Sequence, residues 1–351
     1  MSTVTDIEKK NGAVHVLTSK DLTTDQDVRW CPGCGDYSIL KQVQKVLPEL
    51  GIPREKIVFI SGIGCSSRFP YYMETYGMHS IHGRATAVAS GLKATRPDLN
   101  IWIVTGDGDS LSIGGNHFIH LLRRNLNVNI LLFNNEIYGL TKGQYSPTSP
   151  KDTINKSTPM GSIDNPFNPI ALSLGASGSF VARSMDRDPK HLQEMLKRSY
   201  DYNGTSFLEI YQNCNIYNDG AFFTYTEKTS KKNETVFLEH GKPLVFGENN
   251  DKGIILNGFH PIVVDLNEGG NSINDLWIHD EKDQIKANIL SNFHDDPQKD
   301  KHLPRPFGVF YAIDRPTYED LLEQQITKAI STEGKGNLND LLAGKETWVV
   351  N

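Results

Sequence analysis

The sequence has 351 residues, enough for one large domain with additions or for two modest domains. Hydrophobic residues make up 38% and charged residues 22%, the proportions of an ordinary globular protein. The 36 basic and 42 acidic side chains give a formal net charge of −6. This balance argues against a surface built mainly for nucleic acid or for an anionic membrane.

Neither a secretory signal nor a membrane-spanning segment is predicted. The first 30 residues are polar and charged, and no 18-residue window is apolar throughout. We therefore expect a cytoplasmic protein with no membrane association. In such a protein the four cysteines are expected to be metal ligands or catalytic thiols rather than disulfides.

The hydrophobic pattern predicts strands and helices in alternation. Short apolar runs typical of buried strands lie at 57–60, 101–104, 129–133 and 206–210. Helices are predicted at about 37–47, 84–95 and 115–124. This pattern indicates an α/β fold with a doubly wound, mostly parallel sheet, whose ligands bind outside the carboxyl ends of the strands.

Composition divides the chain into three parts. Residues 1–28 form a polar N-terminal arm, and 29–227 carry the predicted α/β domain, including a proline-rich loop at 143–166. Residues 228–351 are more polar, with short apolar runs. We expect them to be a C-terminal extension that packs on the core or on a partner subunit.

Gly106-Asp107-Gly108 follows one predicted strand, and Asn134-Asn135 follows the next. Carboxylate and amide oxygens at adjacent strand ends are the hard ligands that Mg²⁺ on a diphosphate needs, and glycines let the backbone approach phosphates. Alone, Gly-Asp-Gly could be a simple turn. The Asn-Asn pair favours a diphosphate–metal site. Asp109 either orients a neighbouring group or caps the following helix.

Cysteines in two arrangements are candidate metal ligands. Cys31-Pro32-Gly33-Cys34 places two thiols within reach of one metal centre, whereas Cys65 and Cys214 are remote but each follows a predicted strand. All four could converge on the strand edge that carries the diphosphate motif. Four thiolates suit a tetrahedral zinc or a [4Fe–4S] cluster. Cys65 and Cys214 could alternatively be ordinary buried cysteines.

A series of short motifs resembles the beta subunits of 2-oxoacid:ferredoxin oxidoreductases, most closely the 2-oxoglutarate type. The resemblance covers roughly residues 28–225. Its motifs are Trp-Cys-Pro-Gly-Cys-Gly at 30–35, Gly-Ile-Gly-Cys-Ser-Ser-Arg at 62–68, His-Gly-Arg-Ala at 82–85, Gly-Asp-Gly-Asp at 106–109, Asn-Asn-Glu-Ile-Tyr-Gly-Leu-Thr-Lys-Gly-Gln at 134–144 and Ser-Pro-Thr-Ser at 146–149, with a weaker match at 207–218.

The resemblance implies three cofactors: thiamine diphosphate, Mg²⁺ and one [4Fe–4S] cluster. Mg²⁺ would be bound by Asp107, Asn135 and the carbonyl of Ile137. The cluster would be bound by Cys31, Cys34, Cys65 and Cys214. A thiamine site next to the four thiols favours a redox cluster over zinc.

The resemblance also implies roles for other residues near the diphosphate. His82 could donate to the diphosphate or be a satisfied core histidine. Ser66 and the backbone at Ile63-Gly64 are further diphosphate candidates. Leu140 and Ile137 could wall the thiazolium or fill the core.

Lys142 lies seven residues past Asn135. A lysine there can offer a point charge to a substrate carboxylate, or it can be a solvated loop residue. By resemblance, Thr-Lys-Gly-Gln at this point is typical of 2-oxoglutarate and broad-range enzymes.

The glutamate that thiamine enzymes need to activate the aminopyrimidine is expected on another chain, because no second thiamine-type half occurs here. The resemblance therefore implies an alpha subunit in an αβ or (αβ)2 assembly. The implied reaction is coenzyme A-dependent oxidative decarboxylation of 2-oxoglutarate to succinyl-CoA, with electrons passed to ferredoxin. Alternatives are a pyruvate or broad-range relative, a non-redox thiamine lyase, and a non-catalytic subunit with a structural zinc site made of the four cysteines.

Overall fold

The computed structural model describes residues 17–268, 270–293 and 303–348. Its strands are β1 (Ile57–Ser61), β2 (Tyr76–His79), β3 (Asn100–Gly106), β4 (Val128–Asn134), β5 (Ile137–Tyr138), β6 (Gln144–Tyr145), β7 (Phe180–Met185), β8 (Thr205–Tyr211), β9 (Thr235–Leu238), β10 (Val245–Phe246), β11 (Lys252–Asn257), β12 (His260–Asp265) and β13 (Arg305–Ala312). Its helices are α1 (Asp36–Glu49), α2 (Ala85–Thr95), α3 (Asp107–Leu111), α4 (Gly115–Arg124), α5 (Pro169–Gly175), α6 (Pro189–Asp201), α7 (Phe223–Thr226), α8 (Lys231–Glu234), α9 (Gln284–Ser291), α10 (Tyr318–Glu333) and α11 (Leu338–Ala343). Short 3₁₀ turns lie at Arg54–Lys56, Ser66–Tyr72 and Ile273–Asp275.

One eight-stranded sheet organises the molecule, in the order β2-β1-β3-β4-β8-β7-β13-β9. The first six strands pair in parallel, and β13 runs antiparallel to β7. The predicted mostly parallel α/β fold is thereby confirmed. Because β1, β3, β4 and β8 are parallel neighbours, their carboxyl ends meet at one edge.

Helices cover both faces of the sheet, and the strand residues alternate between two apolar clusters. Val58 and Ile60 of β1 pack in the cluster under α2 and α4, whereas Ile57 and Phe59 pack in the cluster under α1 and α6. Strands buried on both faces are expected to be continuously apolar, as these are.

The strand and helix predictions in the first 210 residues agree with the structure to within two residues at each end. Two strands of the main sheet in this region were not predicted: β2 is exposed along its length, and β7 has a charged residue, Arg183, at its centre. In addition, a separate short helix, α3, begins at Asp107 itself.

The predicted C-terminal extension contributes β9 and β13 to the main sheet and carries a separate three-stranded sheet, β10-β11-β12. The main sheet therefore includes strands from both sides of the predicted boundary at residue 227. The division of the chain into a core domain and a C-terminal extension remains a prediction.

The predicted N-terminal arm lies outside the described residues up to position 16. In the described part of the arm, Leu22 is fully buried against the core, and its carbonyl accepts a hydrogen bond from the backbone N–H of Glu74. No helix within 17–268, 270–293 and 303–348 has the length and apolarity to cross a bilayer.

Candidate functional site

A cavity of about 530 Å³ opens where the carboxyl ends of β1, β3 and β4 meet. All eleven residues predicted to bind the cofactor line it, together with Cys65, Tyr138, Gly139, Thr141, Gln144 and Tyr145. Those eleven are Ile63, Gly64, Ser66, His82, Gly106, Asp107, Gly108, Asp109, Asn135, Ile137 and Leu140. Ile63, Gly64 and Leu140 also line a second cavity beside the first.

Asp107 is a buried carboxylate at the floor of this cavity. Its Oδ2 accepts hydrogen bonds from Ser146 Oγ at 2.5 Å and from Thr148 Oγ1 at 2.6 Å. Burial raises the pKa of Asp107 to about 6, in spite of these hydrogen bonds. A buried carboxylate held in this way is a suitable ligand for a divalent cation, whose charge would favour the ionised form.

Asn135 lies across the cavity from the Gly-Asp-Gly loop. Its Nδ2 donates to Gln212 Oε1 at 2.8 Å, which fixes the amide orientation, and its Oδ1 accepts from the Ile137 N–H at 3.2 Å. The amide is thus held by the end of β8 and by the β5 backbone.

Asp109 joins three segments of the cavity wall. Its Oδ1 accepts from the backbone N–H groups of Ile63 and Gly83, and its Oδ2 accepts from Thr105 Oγ1. His82 Nδ1 also lies 2.8 Å from Oδ1, at an angle that does not make a regular hydrogen bond. Asp109 thus holds these neighbouring groups, and α4 begins at Gly115 without a side-chain cap. The part of Asp109 in cofactor binding remains a prediction.

Gly108 allows a close approach that any side chain would block. A Cβ at this position would lie 2.2 Å from Tyr138 Cε1, and the Tyr138 hydroxyl donates to the Gly108 carbonyl at 2.9 Å. Tyr138 therefore ties the loop after β3 to the loop after β4.

Thiols from three segments meet beside the cavity. Cys65 lines the cavity, and a Cβ at Gly139 would contact both Cys65 Sγ at 3.4 Å and Cys214 Sγ at 3.5 Å. Gln212 Nε2 donates to Cys34 Sγ at 3.2 Å. Burial raises the pKa of Cys34 above its ordinary range and that of Cys65 to about 12, with the Asp36 carboxylate adding to both.

Cys31 is the exposed member of the four, one turn before Cys34, whose N–H donates to the Cys31 carbonyl. Among the residues that the structure describes, no three His, Cys, Asp or Glu side chains lie close enough together to hold a single metal ion.

Lys142 is exposed in the turn between β5 and β6, with a left-handed backbone (φ 76°). Its neighbours Leu140, Thr141 and Gln144 line the cavity, whereas Lys142 does not. Lys142 is therefore next to lining residues in the sequence but does not itself line the cavity, and its role remains a prediction.

Several supporting residues were not predicted from the sequence. Ser146 and Thr148 belong to the Ser-Pro-Thr-Ser motif, which had no assigned role, and Gln212 precedes Cys214 by two residues. Alternating hydroxyls at the start of the proline-rich loop and an amide beside a candidate ligand are the only signals that could have indicated them.

Comparison with known proteins places this geometry in a family. Residues 62–210 match the model described as "Thiamine pyrophosphate enzyme, C-terminal TPP binding domain". The 2-oxoglutarate oxidoreductase subunit KorB of Mycobacterium tuberculosis is 51% identical over 335 residues, covering 94% of this chain and 88% of that protein. The chain belongs to the KorB family of 2-oxoglutarate oxidoreductase beta subunits.

Another KorB subunit and a solved oxidoreductase are also similar to this chain. The 2-oxoglutarate synthase subunit KorB of Methanothermobacter marburgensis is 40% identical, covering 54% of this chain and 66% of that protein. A solved 2-oxoglutarate:ferredoxin oxidoreductase from Magnetococcus marinus, with 2-oxoglutarate, coenzyme A and succinyl-CoA bound, superimposes with a TM-score of 0.73 and 31% identity. That match covers 95% of this chain and 97% of the other.

Proposed function

We propose that this KorB-family chain is the catalytic beta subunit of an enzyme that converts 2-oxoglutarate and coenzyme A to succinyl-CoA and CO2. Two electrons leave the substrate, one at a time, and reduce two ferredoxin molecules. The observation that carries the proposal is the position of Cys65, whose thiol lines the same cavity as Asp107 and Asn135. A one-electron centre bound there would lie beside the thiamine cofactor.

The donor set fits Mg²⁺. Asp107 offers a buried carboxylate and Asn135 offers an amide oxygen, both lining one cavity, and hard oxygens are the ligands that Mg²⁺ prefers. We propose that these two groups and the Ile137 carbonyl hold the ion, and that Ile63, Gly64, Ser66 and His82 face the diphosphate.

We propose that Cys31, Cys34, Cys65 and Cys214 bind a [4Fe–4S] cluster, which takes four thiolate ligands. The approach of Cys65 Sγ and Cys214 Sγ to Gly139 supports this proposal. Burial disfavours free thiolates at Cys34 and Cys65, and a bound metal centre would favour their ionised form. When bound, thiamine diphosphate supplies the electron sink for decarboxylation and the cluster accepts single electrons. We propose that this chain's residues hold and orient both cofactors.

The proposal includes an alpha subunit, in an αβ or (αβ)2 complex, that supplies the aminopyrimidine-activating glutamate. Coenzyme A and ferredoxin are the other partners. We propose that the complex acts in the cytoplasm.

The test is an anaerobic assay of the reconstituted complex. We expect ferredoxin reduction to require both 2-oxoglutarate and coenzyme A, and the purified protein to contain four iron and four sulfide per beta subunit, as expected for one cluster. Stoichiometric zinc without broad visible absorption would instead support the non-catalytic alternative, in which the four cysteines bind structural zinc.

Substitution of Lys142 tests whether this residue contributes to the preference for 2-oxoglutarate. We propose that its ammonium group attracts the distal carboxylate of 2-oxoglutarate, so Lys142→Gln should raise the KM for 2-oxoglutarate about tenfold, a loss of about 1.4 kcal/mol. The KM for pyruvate, which lacks that carboxylate, should stay unchanged.

Lys151→Gln, which changes an exposed lysine in the segment after β6, is the matched control. Equal KM values for 2-oxoglutarate in Lys142→Gln and the wild type would remove Lys142 from the site. A broad-range enzyme would be indicated if the wild type used pyruvate and 2-oxoglutarate equally well.

A further inference from the structure

The Ser-Pro-Thr-Ser motif at 146–149 has no role in the function proposed above. Its first and third residues are buried, and both hydroxyls reach the same oxygen of Asp107. The motif is remote in sequence from the Gly-Asp-Gly loop, so its contact with the carboxylate is created by the fold.

The proton of each hydroxyl can be assigned from its surroundings. Ser149 Oγ donates to the Glu136 carbonyl at 2.5 Å and accepts from the Ser146 N–H at 2.8 Å. Its single proton is therefore used, and it cannot donate to Ser146 Oγ, which lies 3.3 Å away. Ser146 Oγ donates to Asp107 Oδ2 at 2.5 Å, which is nearer than Thr148 Oγ1 at 3.2 Å or Ser149 Oγ at 3.3 Å and is the charged acceptor among the three.

Thr148 faces three possible acceptors with one proton. Asp107 Oδ2 lies 2.6 Å away, Asn134 Oδ1 lies 3.0 Å away and Ser146 Oγ lies 3.2 Å away. The orientation of the Asn134 amide is fixed, because its Nδ2 donates to the buried carboxylate of Glu209 at 2.8 Å. The Thr148 proton goes to the nearest, charged acceptor, since hydrogen bonds to ionised groups are the stronger ones.

Oδ2 of Asp107 thus accepts two hydroxyl protons. The other oxygen, Oδ1, accepts no side-chain hydrogen bond from the part of the chain that the structure describes. The backbone N–H groups of Asp107 and Gly108 also donate to this carboxylate. A cation in the cavity would thus meet a carboxylate whose Oδ2 is engaged by two side-chain hydroxyls, whereas Oδ1 receives no side-chain donor from the described residues.

We propose that Ser146 and Thr148 are positioning residues that make Asp107 a monodentate ligand and so select Mg²⁺ over larger divalent ions at the diphosphate site. Mg²⁺ demands a near-octahedral set of single oxygens, whereas Ca²⁺ accepts bidentate carboxylates and longer, more variable bonds. Two hydroxyls on Oδ2 oppose the bidentate mode. This inference rests on the proposed function, because it requires the metal-bound diphosphate.

Thr148→Val tests the proposal, since valine keeps the shape of threonine and removes the hydroxyl. In the metal-stripped αβ complex, binding of thiamine diphosphate is followed by intrinsic fluorescence while MgCl2 or CaCl2 is titrated. We expect half-saturation to need about 10–100-fold more Mg²⁺, as for other groups that orient metal ligands. The Ca²⁺ requirement should change much less, so the Mg²⁺-to-Ca²⁺ ratio rises.

Thr148→Ser restores the hydroxyl and should restore the wild-type ratio, and Ser146→Ala should shift the ratio in the same direction as Thr148→Val. Thr153→Val is the matched control: its hydroxyl donates to the Pro150 carbonyl in the exposed part of the same loop. It should leave both titrations unchanged.

A ratio unchanged in both Thr148→Val and Ser146→Ala would overturn the inference, even if both ions bound more weakly, because general loosening affects both alike. Metal-independent binding by the wild type would contradict the magnesium assignment of the proposed function itself. The two failures are therefore distinguishable.

Discussion

Gln212 contacts both halves of the candidate site with one side chain. Its Oε1 accepts from Asn135, a proposed Mg²⁺ ligand, and its Nε2 donates to the sulfur of Cys34, a proposed cluster ligand. The same Nε2 donates to the Asn213 carbonyl at 2.7 Å, which fixes the amide orientation. Groups that orient metal ligands in this way affect both affinity and redox potential.

Gln212→Leu should therefore change two properties at once. Loss of the N–H donor to Cys34 Sγ should make the reduction potential of the cluster more negative, because hydrogen bonds to sulfur favour the reduced state. Loss of the Asn135 contact should weaken Mg²⁺-dependent binding of thiamine diphosphate about tenfold. An EPR-monitored redox titration and a binding titration measure the two effects.

Gln193→Leu provides the comparison, since its amide donates to Gln42 between α1 and α6. It should change neither property. An unaltered potential in Gln212→Leu would show that the contact with Cys34 does not tune a cluster.

At the scale of elements, α4 is followed by its C-terminal cap, Asn125. This residue is fully buried and has a left-handed backbone (φ 57°). Its side chain joins three connections: Nδ2 donates to the carbonyls of Arg315 and Pro316, and Oδ1 accepts from Ser179 Oγ and the Thr205 N–H. Asparagine tolerates this conformation better than most residues.

Asn125→Ala should lower the free energy of unfolding by about 2–4 kcal/mol, since it leaves buried donors and acceptors unpaired and places alanine in a left-handed conformation. Asn125→Gly removes the same hydrogen bonds but relieves the backbone, so it should cost about 1 kcal/mol less. Thermal unfolding of the two variants measures the difference. Equal losses would mean that backbone conformation contributes nothing at this helix end.

The elements that sequence predicts well are those whose pattern is local. The strands around Phe59, Ile103 and Leu131 are uninterrupted apolar runs, because both faces of the sheet are covered. The centre of β7 carries Arg183, which is buried only because Glu209 lies opposite on β8. A charge neutralised from another strand leaves no local sign of burial.

The residues of the candidate site also fall into those that the sequence predicts and those that it does not. Asp107, Asn135 and Cys65 follow predicted strands, so their convergence is expected from parallel topology alone. Ser146 and Thr148 reach them through tertiary contacts, which the spacing of the motifs does not encode. Gln212 also follows a predicted strand, but its side-chain contacts with Asn135 and Cys34 have no sign in the sequence.

At the scale of the whole molecule, the Arg183–Glu209 pair connects the candidate site to the C-terminal strands. Arg183 Nε donates to Glu209 Oε2 at 2.7 Å, and its Nη1 donates to the Pro306 carbonyl on β13 at 3.2 Å. Glu209 Oε1 in turn accepts from Asn134, beside the cavity. The pair is almost fully buried, so its charges depend on each other.

Arg183→Met should destabilise the protein by about 3–5 kcal/mol, because it leaves the Glu209 carboxylate buried without a counter-charge. The double variant Arg183→Met/Glu209→Gln should recover much of that loss, since glutamine is neutral and still accepts from Asn134. Unfolding midpoints of the complex with each variant measure this. Equal instability of the single and double variants would indicate that lost packing, and not the unpaired charge, is responsible.

Insertion of β13 between β7 and β9 also constrains how the protein is made. Until residue 312 has left the ribosome, β7 is an open sheet edge with unpaired backbone groups, a surface prone to join other chains. Because β13 and β7 are far apart in sequence, this edge closes late in synthesis. The nascent chain therefore carries a nearly finished cofactor cavity together with an aggregation-prone edge, and we expect its yield in the cell to depend on chaperones that shield β7 until the last strand arrives.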